Sequence, residues 1–300
     1  MAGVAVGTMD RWRVNLLGRF ELRAPNGQEI ALGARKSIAL IASLATAPGQ
    51  RLARDRLAMV LWEDMPDAQA RGNLRQLLAA TRRLAPFLEA DSGSIGFAAG
   101  MADTDFTDFE TAIGEDTPAA LEYAASLYRA DLLDGFSLRG RGFDEWLTGE
   151  RERLREHAVQ LFLRLMERAA ANGVEPAIRW ALRILAVDPM HEPAHRALME
   201  LYTAQGRHAA ALRQYGQLRD ILLRELNTRP EPQTDALAKR IREARRSPVR
   251  PPNEAPAPEA EPPANGGVAR NSLVAAQALL DLSPPVPEKP SIAVLPFCAG

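Results

Sequence analysis

The sequence predicts a mainly α-helical chain. A winged helix-turn-helix (α+β) comes first, followed by an all-α domain of tetratricopeptide-like helical repeats. Three observations predict this. Residues 12–100 run in the order strands, helix, short strand, helix, turn, longer helix, hairpin, the order of a winged helix. Residues 101–245 carry one helical apolar stripe after another, interrupted at Gly173, Pro189 and Gly206. Gly173 and Gly206 are 33 residues apart, against the roughly 34 of tetratricopeptide units.

In chain order, "WRVNLLGRFELR" (12–23) alternates, with Val14, Leu16, Gly18, Phe20 and Leu22 on one side of a strand. Asn26-Gly27 suits the positive φ of a hairpin turn, and "QEIAL" (28–32) reads as the return strand. The helix at 35–47 has Ile38, Leu40, Ile41 and Leu44 apolar and stops at "PGQ". "QRLAR" is a short extended piece, and Asp55 is the expected N-cap of a helix over 56–62. The longer third helix begins near Ala68 or Gln69, and "FLEADSG" with "SIGFAAG" forms the closing hairpin.

On a helical wheel of "ARGNLRQLLAATRRL" (70–84), Leu74, Leu77, Leu78, Thr81, Leu84 and Ala85 share one core-facing arc. Arg71, Arg75 and Arg82 superimpose on another line, with Gly72, Gln76, Ala79 and Arg83 extending that side. No acidic residue lies between Ala68 and Pro86, whereas a merely solvated helix interleaves Glu with Arg. The wheel alone leaves two readings open, a solvated face or a DNA-facing one.

Charge distribution bears on that choice. The net charge of −1 divides into 13 Lys+Arg against 9 Asp+Glu over residues 10–100, and 20 against 24 over 101–245. A mildly basic unit beside a mildly acidic one fits nucleic-acid contact by the first only. The chain uses 34 Arg and 3 Lys, a compositional bias that weakens any inference from counting arginines. With Cys298 as its one cysteine it can form no internal disulfide, which fits a reducing cytoplasm. The amino end lacks the apolar stretch of a signal peptide, and no run reaches the length of a membrane span.

In the second half, "RERLREHAVQLFLRLMERAAANG" places Leu154, Ala158, Leu161, Phe162, Leu165, Met166 and Ala169 on one face, with Gly173 as C-cap. Ala177, Ala181 and Ala211 are the small residues expected where paired helices approach closely. Stacked pairs of this kind form concave surfaces for peptides, partner helices or a second subunit. The domain boundaries follow: a disordered start (1–10), winged helix (11–100), helical domain (101–245), Pro-rich linker (246–289), and a buried-type strand (290–300) opening a truncated further domain.

Nothing here predicts an enzyme. "HEPAH" (191–195) matches the zincin pattern H-E-x-x-H, which needs both imidazoles on one continuous helix. Pro189 precedes it and Pro193 interrupts it, so the better reading puts Pro193 in the first turn of a repeat helix. No phosphate-binding loop, nucleophile elbow or Cys–His pairing occurs, and no metal or cofactor is expected. Glu150 and Glu152 sit among arginines as ion pairs, and Trp12, Trp62, Trp146 and Trp180 read as core anchors.

"LLGRFEL", "ARKSIALIASLA", "RDRLAMVLW" and "ARGNLRQLLAATRRL", in that order, resemble the DNA-binding domain of the Streptomyces antibiotic regulatory protein family. "DTDFTDFE", "ALEYAASLYRADLLDGF", "FDEWLTGERERLRE" and the stretch from Gly206 to Leu237 resemble the bacterial transcriptional activator domain that accompanies it. "KPSIAVLPFCAG" is similar to the first strand of a TolB-like domain. The resemblance implies a cytoplasmic activator that binds direct repeats of promoter DNA and recruits RNA polymerase through its sigma subunit; a homo-oligomer on DNA and no membrane partner are expected. No receiver domain precedes the winged helix, so control by phosphorelay is not expected. The rival reading is a tetratricopeptide-type protein-binding scaffold whose winged helix no longer binds DNA.

For DNA contact, the guanidinium forks of Arg71, Arg75 and Arg82 suit guanine edges or phosphates, with Arg83 beside them. Asn73 and Gln76 offer adenine-reading amides. Arg35 and Lys36 open a helix whose amino end could meet a phosphate, and Arg51, Arg54 and Arg56 are candidate backbone clamps. The wing (89–100) has no basic residue and an acidic pair, so its usual contact with DNA is in question.

Overall fold

The alternating stretch 12–23 folds as two strands rather than one. The computed structural model describes residues 11–138 and 140–246. In it, β1 (Trp12–Asn15) and β2 (Glu21–Arg23) pair antiparallel, with Val14 opposite Leu22. Between them Gly18 adopts φ +120°, open to glycine at little cost, and the chain reverses there. The Asn26-Gly27 turn forms as expected, with Gly27 at φ +81° and its N–H on the Ala24 carbonyl at 2.8 Å. The return strand, however, shrinks to a single bridge between Arg23 and Glu29.

Three helices follow: α1 (Arg35–Ala45), α2 (Arg54–Leu61) and α3 (Asp67–Arg82). Between α1 and α2 lies β3 (Arg51–Ala53), the predicted extended piece. It pairs with β5 (Ser94–Phe97), which also pairs with β4 (Leu88–Ala90), so the closing hairpin is present and docked on a third strand. Gly96 belongs there because a Cβ would sit 2.9 Å from the Gln50 carbonyl. Asp55 is not the N-cap of α2. That position is Ala53, and Asp55 lies in the first turn, where its charge still favours the helix dipole.

A strand absent from the sequence reading, β6 (Ala102–Thr104), runs parallel to β1. It leads into α4 (Asp105–Glu115), α5 (Pro118–Leu127) and the long α6 (Arg141–Ala170). The stripe read in 151–173 is buried at Leu154, Ala158, Leu161, Phe162, Leu165 and Ala169, but the helix starts ten residues earlier, at Arg141. Gly173 is the N-cap position of the next helix rather than the C-cap of α6, which is Ala171. Two antiparallel-type pairs follow: α7 (Val174–Val187) on α6, and α9 (His208–Leu226) on α8 (Glu192–Ala204); α10 (Pro232–Arg246) packs on α8 and α9. Ala177, Ala181 and Ala211 are all buried at these contacts.

One hydrophobic core runs from Val14 through Leu74, Phe109 and Phe162 to Ala194, so packing is continuous across residue 100. The tryptophans serve that core: Trp12 lies 5.5 Å from Phe87, Trp146 5.0 Å from Phe143, and Trp180 stacks on Phe162 at 5.9 Å. Glu150 and Glu152 pair with Arg153 and Arg155 along α6. Among the described residues no helix is long and apolar enough to cross a membrane. The segments 1–10, 247–289 and 290–300, including the linker and the proposed TolB-like strand, lie outside the described residues.

"HEPAH" forms the start of α8. His191 is the N-cap, its Nδ1 accepting from the Ala194 N–H at 3.2 Å, with Pro193 in the first turn. His195 is buried between the Pro189 carbonyl, 3.0 Å from Nε2, and the Gln214 amide, 2.7 Å from Nδ1. That pair of partners fixes a neutral ring, Nε2–H donating and Nδ1 accepting. Burial lowers the His195 pKa, so below the ordinary value of about 6.5 the unfolded chain takes up this proton first. Its stabilisation is complete above that pH and declines as pH falls. Urea midpoints between pH 7.5 and pH 5 are expected to fall in the wild type, with a shallower fall in His195→Phe; equal slopes would contradict this.

Candidate nucleic-acid interface

The face presented by α3 follows from how its opposite face is anchored. Ala70, Leu74, Leu78 and Thr81 are buried at spacings of four, four and three residues. Thr81 donates to the Leu77 carbonyl at 2.7 Å and accepts from the Ser37 hydroxyl at 2.7 Å, which locks α3 to α1. The predicted arc is thus correct through Thr81, with Leu77 only half-buried. It fails at Leu84, which is 45% exposed. The helix ends at Arg82, so the wheel does not extend to Leu84; Ala85 is buried through the turn in which its N–H reaches the Thr81 carbonyl.

Arg71, Arg75, Gln76, Arg82 and Arg83 are exposed on the remaining face. Arg71 donates to Asp55 at 2.8 Å in an exposed ion pair, which solvent and salt weaken. Arg75 has no hydrogen-bond or ionic partner among the described residues, and its Nη2 lies 4.0 Å from where a Gly72 Cβ would stand. Asn73 is half-buried and turns its amide toward the Met65 sulfur at 3.2 Å.

The other predicted residues hold the unit together. Arg35 donates to the Ser137 carbonyl and lies 4.9 Å from the Phe136 ring centre. Lys36 donates to the Leu61 carbonyl at 2.7 Å and sits 4.2 Å over Trp62; burial lowers its pKa. Arg54 donates to the Asp91 carbonyl at 2.8 Å and so secures the tip of the β4–β5 hairpin. Arg56 is exposed.

The acidic wing is not left uncompensated. Arg51, on the neighbouring β3, bonds Asp91 and Ser94 at 2.7 Å each and pairs with Glu89. At the tip, the Ser94 hydroxyl and the Gly93 and Ser94 N–H groups hold Asp91 down to a pKa of about 2. The carboxylate therefore stays charged well into acid and keeps the turn closed, releasing it only as pH approaches that value.

Glu63, in the turn between α2 and α3, accepts from the Arg141 N–H and so caps the first turn of α6, whose own N-cap is Gly140. Nothing local in the sequence marks Glu63 for this, since its partner is 78 residues away. The turn that leads into α3 is thereby tied to the start of the long helix α6.

The chain is similar to several known bacterial proteins. Residues 107–242 match the family model of the bacterial transcriptional activator domain. The regulatory protein AfsR of Streptomyces coelicolor is 28% identical over 237 residues, which is 73% of this chain and 23% of that protein. The transcriptional regulatory protein MoaR1 of Mycobacterium tuberculosis is 26% identical over 248 residues, covering 76% of this chain and 78% of MoaR1. Among solved structures, Mycobacterium tuberculosis EmbR in complex with a low affinity phosphopeptide shares the fold, with a TM-score of 0.57 at 21% identity over 78% of this chain and 65% of that one. The chain thus spans less than a quarter of AfsR and most of MoaR1. Its residues 107–242 thus match the model of the bacterial transcriptional activator domain, and the chain as a whole is similar to bacterial transcriptional regulators.

Proposed function

We propose that the chain is a sequence-specific transcriptional activator of the Streptomyces antibiotic regulatory protein type. In this reading residues 11–100 are a winged helix that lays α3 in the major groove of double-stranded promoter DNA. One observation carries it: the exposed face of α3 gathers Arg71, Arg75, Arg82 and Arg83 with Gln76 and holds no acidic side chain from Ala68 to Pro86. Arg75 and Gln76 would read base edges, and Arg71, Arg82 and Arg83 would reach base edges or phosphates. Arg35, Lys36, Arg54 and Asn73 would serve by fixing the helices and the hairpin that aim α3. The tetratricopeptide-like pairs α6–α7 and α8–α9 would join subunits on repeated sites and meet the sigma subunit of RNA polymerase, in the cytoplasm.

Genomic footprinting with the full chain is expected to find protected direct repeats upstream of promoters, and those fragments should shift in gels. A chain that protects no sites and shifts none of the fragments, yet captures protein partners, would favour the scaffold instead. Arg51→Ala offers a separate check on the wing. Freed of Arg51, Glu89 and Asp91 should repel the DNA backbone and weaken binding by about two- to fivefold at low ionic strength, less at high salt, because exposed charges are screened within about 10 Å. Unchanged affinity at low salt would remove the wing from the interface.

A further inference from the structure

We propose that the cleft between the α1–α2 corner and the first turns of α6 is a binding site for a small aromatic carboxylate carrying a second polar substituent. The cleft measures about 120 Å³, many times the roughly 10–15 Å³ that one water requires. Its walls include Leu52, Leu57, Val60 and the indole of Trp146, surfaces that suit a flat apolar ring.

Two polar features specify the rest of the ligand. Ser43 lines the cleft, is 5% exposed, and its hydroxyl has no hydrogen-bond partner among the described residues. A serine within a helix ordinarily satisfies its hydroxyl on the carbonyl one turn back, as Thr46 does on Ala42 at 3.1 Å. The buried polar groups nearby are paired: Ser37 and Thr81 bond each other. An unpaired buried hydroxyl is costly, and a ligand group reaching it would recover that loss. At the mouth stand Arg56 and Glu150. Glu150 is already held by Arg153 at 2.9 Å, whereas Arg56 is exposed and has no carboxylate partner among the described residues. The available charge at the mouth is therefore positive. A ring of benzoate size, with its carboxylate on Arg56 and a hydroxyl reaching Ser43, answers all three features. The site joins the DNA-reading unit to α6, yet its existence does not depend on DNA binding.

The test is calorimetric titration of the full chain with 4-hydroxybenzoate, benzoate and 4-hydroxybenzamide. One saturable site per chain is expected within about 10 mM, as suits so small a ligand. Benzoate, lacking the group for Ser43, should bind severalfold more weakly, and that difference should vanish in Ser43→Ala. The uncharged amide should bind at least about tenfold more weakly than 4-hydroxybenzoate, and Arg56→Gln should erase the gap. No saturable binding of 4-hydroxybenzoate would overturn the proposal and leave the cleft to water. So would binding that is indifferent to both Arg56→Gln and Ser43→Ala.

Discussion

Arg75→Ala is expected to weaken binding to cognate DNA by about 5- to 150-fold, the roughly 1–3 kcal/mol carried by a bidentate arginine–guanine pair. Arg75 is well placed on α3 for that role. It is exposed, lies one turn beyond Gly72, and has no internal partner among the described residues to give up on binding. Arg71 must first leave Asp55, so Arg71→Ala should cost less. Loss at Arg75 should also be uneven across operator sequences, largest where the contacted guanine is present. A phosphate contact would instead lower affinity by a similar factor on every sequence and reduce the salt dependence by about one unit of slope. Competition gel shifts with operator point variants distinguish the two, and wild-type affinity in Arg75→Ala would remove the residue from the interface.

Asp105→Ala is expected to destabilise the fold by about 2–4 kcal/mol, because two buried N–H donors lose their acceptor. Asp105 is 1% exposed, and its carboxylate accepts from the Leu16 N–H at 2.7 Å and the Leu17 N–H at 3.0 Å. Arg129 stands 3.6 Å away. These bonds join the first hairpin to the start of α4. Asp105→Asn keeps one acceptor and should lose about half as much. The variants also differ in pH response. Burial raises the Asp105 pKa, against the pull of the two N–H groups and of Arg13 and Arg129. A carboxyl raised in the folded state favours folding most while protonated, so the wild type should lose stability relative to Asp105→Asn as pH rises through the folded-state pKa. Denaturant midpoints measure both effects; a loss below about 1 kcal/mol in Asp105→Ala would show that the two N–H groups find other partners.

Much of this architecture is legible in the sequence because it rests on local periodicity. The Leu74–Leu78 stripe of α3, the Leu154–Ala169 stripe of α6 and the stops at Pro189 and Gly206 are set by neighbours three or four residues away. What periodicity cannot show is where a pattern stops being a single element. Alternation continues from Val14 to Leu22, yet the strand breaks at Gly18 because distant groups take its backbone: Asp105 binds Leu16 and Leu17, and the Gly18 N–H donates to the Asp131 carbonyl at 3.1 Å. Leu84 fits the wheel but lies past the helix end.

The candidate interface divides the same way. Which arginines share the outer face of α3 is a local matter and readable. Which basic residues are already engaged depends on partners far along the chain, as for Arg35 with Ser137, Arg54 with Asp91 and Arg51 with Glu89. The acidic wing looks hostile to DNA in sequence only because β3, 38 residues before Glu89, is not yet beside it.

The most direct test of the α3 reading is the salt dependence of operator binding by the full chain, set beside that of an Arg71→Ala/Arg75→Ala/Arg82→Ala variant. Counterion release gives a slope of log affinity against log salt of about −0.9 for each phosphate neutralised. A steep slope is expected for the wild type, and for the variant a shallower slope with at least about a 100-fold loss of affinity at low salt. Identical slopes and affinities in the two proteins would show that the arginine face of α3 does not meet DNA.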